Sequence, residues 1–146
     1  VLIDFAHTPD AVTQVLLSLR LHCQGRLICV LGCGGDRDPG KRPLMGVAAV
    51  QHSDLCLFTS DNPRSESPAS IIDEMCRDLA VPLDPADCLI DRKAAIQRAL
   101  TLQEPGDVVV ILGKGHERYQ EIQGVRYPFN DEAIVTAELM QRGRRA

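Results

Sequence analysis

Four short segments hold most of the residue types that do chemistry: "DFAHTPD" (4–10), "GCGGDRDPGKR" (32–42), "SDNPRSE" (60–66) and "GKGHE" (113–117). In the second, Gly35, Gly40 and Lys41 stand at the G-x-x-x-x-G-K spacing of a phosphate-binding loop. Such a loop needs Ser or Thr after the Lys to hold magnesium, whereas Arg42 and Pro43 follow here. Asp36 and Asp38 would also put carboxylates where backbone amides should face phosphate. A solvated glycine turn is one alternative. A better fit gives the glycines to close backbone approach to a ligand, and Arg37 to a ligand carboxylate.

The other loops add to this pattern. Asn62-Pro63 fixes a turn, so Arg64 is presented on a stiff segment. A capping turn ahead of "SPASII" accounts for Asp61, Asn62 and Ser67 but leaves Arg64 without a task. Arg37 and Arg64 on adjoining loops would make a two-arginine anion site. Gly113 and Gly115 flank Lys114 and again point to backbone approach to a ligand. Glu117 would add negative charge beside the arginines, a combination suited to a zwitterion such as an amino acid. His116 is equally a surface or packing residue. Asp4 could accept ribose hydroxyls or close a salt bridge at a strand end. Phe5 is either core or a nucleobase platform, in a chain with 3% aromatic residues.

These loops must be held by regular elements. Strand patterns fall at 1–5, 26–32, 54–60, 88–91 and 107–113. Helical periodicity lies between them: Val12, Val15, Leu16 and Leu19 recur at i, i+3, i+4, i+7, and Ile71, Ile72, Met75 and Leu79 are spaced for one face as well. Thr8, Pro9 and Asp10 supply an N-cap, a proline at the first helical position and an acid near the positive helix end. "YQEIQGVRYPF" reads as an edge hairpin turning near Gly124, and "NDEAIVTAELMQR" as a closing helix capped by Asn130. The alternation predicts an α/β, Rossmann-like fold: a mostly parallel sheet of about six strands with flanking helices. Helix-to-strand connections are plain turns, whereas all four chemical segments are strand-to-helix connections. In a parallel sheet these converge on the carboxyl edge, where open α/β folds bind ligands.

The composition is that of one globular domain of 146 residues, 45% hydrophobic and 25% charged. A net charge of −4 gives no support to nucleic-acid binding. The one basic run, "RGRR" at the end, is expected to fray in solvent. No stretch reaches membrane-spanning length and no secretory leader is read. The six cysteines form no C-x-x-C pair, and most lie in apolar runs. They are expected to be free, with no structural zinc, in a cytoplasmic protein. A start at "VLIDF", already inside a buried strand, is expected of a domain from a longer protein.

Taken together, "DFAHTPD", "GCGGDRDPGKRPLMG", "SDNPRSE", "GKGHE" and "FNDEA" resemble the C-terminal domain of the Mur ligases, over the whole of 1–146 and in the family's order. "DNPR" is the most specific element: it is similar to the motif of members that add meso-diaminopimelate to UDP-N-acetylmuramoyl-L-alanyl-D-glutamate (the UDP-MurNAc-dipeptide) in peptidoglycan synthesis. Lysine-adding members differ there. The resemblance implies an ATP-dependent ligase. ATP phosphorylates the D-glutamate carboxylate, the amine attacks the acyl phosphate, and a tetrahedral intermediate collapses to the amide. It also implies that the P-loop, the Mg2+ ligands and a carbamylated lysine lie in a central domain, and the UDP-sugar pocket in an N-terminal one. Neither is within 1–146. This domain would be the closing lid, inactive alone, with no catalytic or metal-binding residue of its own.

By position, the resemblance implies that Arg37, Asp61, Asn62, Pro63, Arg64, Gly113 and Glu117 hold meso-diaminopimelate. Arg37 and Arg64 would take carboxylate, and Glu117 the distal ammonium. Asp4, Phe5 and His7 would line the ATP side, with Asp4 on the ribose. Phe5 stands where Tyr is usual, and Ser60 and Asn130 where an acid is common. Two readings of other classes remain: an orphan amino-acid- or nucleotide-binding module, and a degenerate P-loop NTPase.

Overall fold

The computed structural model describes residues 1–145. Its elements are β1 (Leu2–Asp4), α1 (Pro9–Arg20), β2 (Leu27–Cys33), α2 (Lys41–His52), β3 (Leu55–Ser60), α3 (Pro68–Cys76), β4 (Cys88–Leu89), α4 (Arg92–Leu102), β5 (Val108–Leu112), β6 (Tyr119–Ile122), β7 (Val125–Pro128) and α5 (Asp131–Arg145). A single 3-10 turn at Pro85–Asp87 precedes β4. Local chemistry accounts for the helix starts. Thr8 is extended and its hydroxyl accepts from Ala11 N at 3.2 Å, with Pro9 following it. Asn130 Oδ1 accepts from Ala133 N at 3.0 Å and starts α5. Each satisfies a backbone donor that the first helical turn leaves unpaired.

The strand order is β1-β5-β2-β3-β4, and every pairing in this five-stranded sheet is parallel. Side chains of β2 alternate between two cores because successive residues of a strand face opposite sides. Leu27, Cys29, Leu31 and Cys33 pack toward α1, α2 and α3; Ile28 and Val30 pack toward α4 and Val135 of α5. Burial of each such large apolar side chain contributes about 1.5–3 kcal/mol. Neighbouring strands β2 and β5 send the chain to opposite faces, to α2 and toward α5 respectively. That divergence opens a crevice at the carboxyl edge.

Two details differ from the sequence reading. The sheet has five strands rather than six because β6 and β7 pair with each other as a separate antiparallel ribbon. The ribbon turns at Gln123 and Gly124, and a β-bridge from Ile122 to Arg64 is among the contacts that join it to the rest. The basic run is helical: α5 continues through it, and Arg142 donates to Leu100 O and Thr101 Oγ1 at the end of α4. Those carbonyl and hydroxyl acceptors give the guanidinium a reason to stay docked.

All six cysteines are free thiols; Cys29, Cys33 and Cys56 are buried. Among the described residues no cluster of His, Cys, Asp or Glu could hold a metal ion, and no helix is long and apolar enough to cross a membrane.

Candidate functional site

A cavity of about 360 Å³ opens at the carboxyl ends of β2, β3 and β5. It brings together Phe5, His7, Arg37, Asp61, Asn62, Arg64, Gly113 and Glu117, drawn from all four segments. Lys41, Arg42, Asp38 and Cys33 complete much of the wall. Pro63 is the diaminopimelate-site candidate that does not line it: its carbonyl instead accepts from Glu66 N at 3.0 Å and backs the loop. Asp4 lies in an adjoining depression with Phe5, Gly115, His116 and Glu132, and its Oδ1 is taken by Ala6 N at 2.8 Å. Phe5 separates the two hollows and is 45% exposed, so it is no core residue. Its ring stands 4.7 Å from His7 and 6.0 Å from His116, centroid to centroid.

The glycine loop is not a phosphate cradle. Such a cradle needs free backbone amides, and these are already bound. Gly35 N donates to Asn62 O at 2.8 Å and Asp36 N to Glu66 Oε2 at 2.6 Å. Gly40 N donates to Asp38 Oδ1 at 2.9 Å. Arg42, where a P-loop has its magnesium hydroxyl, is 2% exposed. It donates to Glu66, to Glu74 Oε2 at 2.9 Å and to Gly34 O at 3.1 Å. Its hydrogen bond holds the Glu66 carboxyl below its ordinary range, helped by Asp36 N. The P-loop reading fails on these contacts.

Protein packing by itself already requires glycine at several of these positions. A Cβ on Gly35 would stand 1.9 Å from Pro63 O, so the residue must be Gly for this loop to touch the next one. In the same way a Cβ on Gly113 would stand 2.9 Å from Asp61 Oδ2. Gly113 and Gly115 have φ of +113° and +54°, the left-handed region that suits glycine. The two turns point Lys114 inward.

Lys114 is the residue that sequence reasoning left without a role. Its ammonium, 0% exposed, donates to Asn62 Oδ1 at 2.8 Å and to Asp61 Oδ1 and Glu117 Oε2 at 3.2 Å each. Asn62 Nδ2 donates in turn to Glu117 Oε2 at 3.1 Å. Burial then pushes the Cys33 thiol on the cavity wall up to about 12, and nearby Asp61 adds to the effect. Cys33 is therefore an inert wall and not a nucleophile.

Arg64 is held in an unusual backbone state, φ +52°, which costs a non-glycine residue roughly 1–2 kcal/mol. The β6–β7 ribbon holds it there. Arg64 N donates to Glu121 O at 2.9 Å, and Arg64 O accepts from Gln123 N at 2.8 Å. Gln120 Nε2 and Glu121 N reach Asp61 O and Asn62 Oδ1 at 2.7 and 2.9 Å. The guanidinium donates to Gly35 O at 2.8 Å and stands 3.5 Å from Glu121 Oε2, with 18% of the side chain exposed. Arg37 is exposed and reaches Asp36 O at 2.9 Å. A Cβ on Gly34 would lie 3.0 Å from Arg64 Nη1 and 3.8 Å from Arg37 Cγ, so both arginines flank the same glycine. The cavity thus carries cationic groups on the Arg37–Arg64 side and carboxylates at Asp61 and Glu117.

Behind the cavity, Arg92 and Asp131 form a fully buried ion pair, Nη2 to Oδ2 2.7 Å. Arg92 also donates to Ser60 O at 3.3 Å and Leu112 O at 3.1 Å, the last residues of β3 and β5. It fixes the spacing from which Asp61 and Gly113 emerge. The only signal in the sequence was an Arg placed directly after the helix-capping Asp91.

The fold and this rim define a class. The family described as "Mur ligase, glutamate ligase domain" matches residues 1–115, and the chain belongs to the Mur ligase family. Its relatives narrow the comparison. It is 50% identical to the UDP-N-acetylmuramoyl-L-alanyl-D-glutamate–2,6-diaminopimelate ligase of Chromobacterium violaceum, over 99% of this chain and 29% of that one. It is 52% identical to the ligase of the same name from Aquifex aeolicus, over 92% of this chain and 28% of that one. A solved structure of a ligase of that name superposes with a TM-score of 0.88 at 43% identity, over 97% of this chain and 29% of that chain. The chain therefore spans less than a third of the length of these relatives.

Proposed function

We propose that residues 1–146 work as the C-terminal, amino-acid-receiving domain of an ATP-dependent ligase that joins meso-diaminopimelate to UDP-N-acetylmuramoyl-L-alanyl-D-glutamate in peptidoglycan synthesis. The observation that carries this reading is the pairing of Arg37 and Arg64 with Asp61, Asn62 and Glu117 around one cavity. A zwitterionic centre needs donors for its carboxylate and an acceptor for its ammonium, set a few ångströms apart. Arg64 suits the distal carboxylate, Glu117 the distal ammonium, and Arg37 a further carboxylate. That arrangement aims the other amine out of the cavity, toward the acyl phosphate that ATP forms on the D-glutamate carboxylate. Attack there gives a tetrahedral intermediate that collapses to the amide, releasing phosphate.

On this reading the phosphoryl-transfer groups and the Mg2+ ligands belong to a central domain, and the UDP-sugar pocket to an N-terminal one. The purified 146-residue chain is then catalytically silent. Phe5 and His7 suit the adenine side of ATP, and Asp4 its ribose, because an exposed ring beside an exposed carboxylate offers stacking and a hydroxyl acceptor. Cytoplasmic location follows from where the nucleotide substrates are made.

The test is selectivity. Lysine lacks the second carboxylate, so a site built on Arg64 rejects it by leaving donors unpaired. In the full-length ligase, Arg64→Ala should lower kcat/KM for meso-diaminopimelate by about 100-fold, within the 2–5 kcal/mol range of a buried charge pair. The weak lysine activity should change far less, because lysine has no second carboxylate to bond Arg64. Equal falls for both amino acids would remove the substrate assignment. An orphan binding module would instead bind the amino acid without any turnover in the full-length protein.

A further inference from the structure

Three acceptors converge on Lys114, and an ammonium has three donors and no acceptor. Asp61 Oδ1, Asn62 Oδ1 and Glu117 Oε2 lie 3.2, 2.8 and 3.2 Å from Nζ, which is sealed from solvent. No donor is left for a ligand, so Lys114 does not itself touch substrate. We propose that Lys114 is a positioning residue that decides which hydrogen bonds Asp61, Asn62 and Glu117 offer the amino acid, and thereby excludes a bare ammonium. The inference rests on the reading of this cavity as the amino-acid site.

Its effect on each partner can be counted. Asn62 Oδ1 accepts from Lys114 and from Glu121 N at 2.9 Å, which uses both of its lone pairs. Asn62 can then only donate to a ligand, through the amide hydrogen not given to Glu117. Glu117 Oε2 accepts twice, from Lys114 and Asn62, so Oε1 is the oxygen left for a ligand ammonium. A donor and an acceptor are thus fixed side by side, which suits a centre bearing both a carboxylate and an ammonium. Charge follows the same logic. Asp61 and Glu117 contribute −2 and Lys114 +1, so the cluster carries −1 and not −2. Without Lys114, three acceptors just vacated by an ammonium would be open to the terminal ammonium of lysine.

The local backbone is built to keep Lys114 there. It lies between two left-handed glycines, and a Cβ on Gly115 would stand 2.9 Å from Phe5 Cβ. Behind it, Arg92 ties Ser60 O and Leu112 O together, just before Asp61 and Gly113.

The experiment uses the full-length ligase with Lys114→Met, and with Lys114→Gln, which keeps an amide donor. The KM for meso-diaminopimelate should rise at least about tenfold in Lys114→Met and less in Lys114→Gln, as hydrogen bonds to charged partners are lost. The KM for ATP should stay within about threefold, since the ATP-side residues make none of these bonds. The lysine-to-diaminopimelate ratio of kcat/KM should rise. In Lys114→Ala, added ethylammonium should recover part of the diaminopimelate activity, whereas tetramethylammonium, which has no donor, should not. If Lys114→Met does not fold, Lys114→Gln and the ethylammonium experiment carry the test. Parallel rises in both KM values, or a fall in kcat alone, would show a strut with no role in selection and overturn the proposal. Wild-type enzyme that does not use meso-diaminopimelate would overturn the reading of the cavity itself. Active wild type with an unchanged amino-acid KM in Lys114→Met and Lys114→Gln would overturn the role of Lys114 alone.

Discussion

Replacing Arg92 with Met should be among the most damaging single changes in this domain, although Arg92 does not line the cavity. Arg92 and Asp131 are both 0% exposed, joined by Nε–Oδ1 at 2.9 Å and Nη2–Oδ2 at 2.7 Å. Burial opposes the guanidinium charge most strongly, but the hydrogen bonds to Asp131 and the charges of Asp131, Asp61 and Glu117 together outweigh it and raise the arginine above its ordinary range. Arg92→Met strands a buried carboxylate and also deprives Ser60 O and Leu112 O of donors. Breaking a buried pair from one side costs about 3–5 kcal/mol. That is a large share of the roughly 5–15 kcal/mol that hold a domain together. At about 2–4 °C per kcal/mol for a chain near this size, the melting temperature should fall by roughly 10 °C. The double variant Arg92→Met/Asp131→Leu removes the stranded charge and leaves mainly the two carbonyls, about 1–3 kcal/mol. It should therefore be more stable than Arg92→Met alone. Urea unfolding followed by circular dichroism, with a common slope for all variants, gives the three free energies. A loss below about 1 kcal/mol in the single variant, or a double variant weaker than the single, would refute the reasoning.

Two further outcomes are expected. Asp107 is held down to about 2, first by the Arg26 side chain and then by the amides of Arg26 and Glu104. A carboxyl lowered on folding adds stability above its unfolded value, near 3.8, that is lost as pH falls toward 2. The urea midpoint of wild type should thus drop more steeply than that of Asp107→Asn between pH 4 and about 2, and parallel curves would count against it. Gly35→Ala would place a Cβ 1.9 Å from Pro63 O and push the two arginine-bearing loops apart. A displacement of about 1 Å can cost 100-fold, so the diaminopimelate KM of the full-length ligase should rise well above tenfold; an unchanged value would show that the loops can part without harm.

The sequence by itself determined what depends on neighbours along the chain. Thr8 and Asn130 cap helices because each side-chain oxygen lies three residues from the amide it accepts. The α/β alternation, and with it the gathering of four loops on one rim, followed from hydrophobic period alone. Arg37, Asp61, Asn62, Arg64, Gly113 and Glu117, singled out by the family resemblance on strand-to-helix loops, line one cavity. Tertiary structure decided what those residues can do. The stretch 119–129 read as an edge hairpin, yet it docks on residues 61–65 and holds Arg64 in its left-handed state. Nothing within 119–129 announces that partner, because its backbone and side-chain bonds reach across more than fifty residues. The glycines read as ligand approaches; that the missing Cβ atoms of Gly35, Gly113 and Gly115 also make room for Pro63 O, Asp61 and Phe5 came only from packing. Lys114 had no pattern at all, since a buried lysine is specified by the acceptors that surround it. Those acceptors come from β3 and β5 loops some fifty residues apart, and only packing brings them to one point.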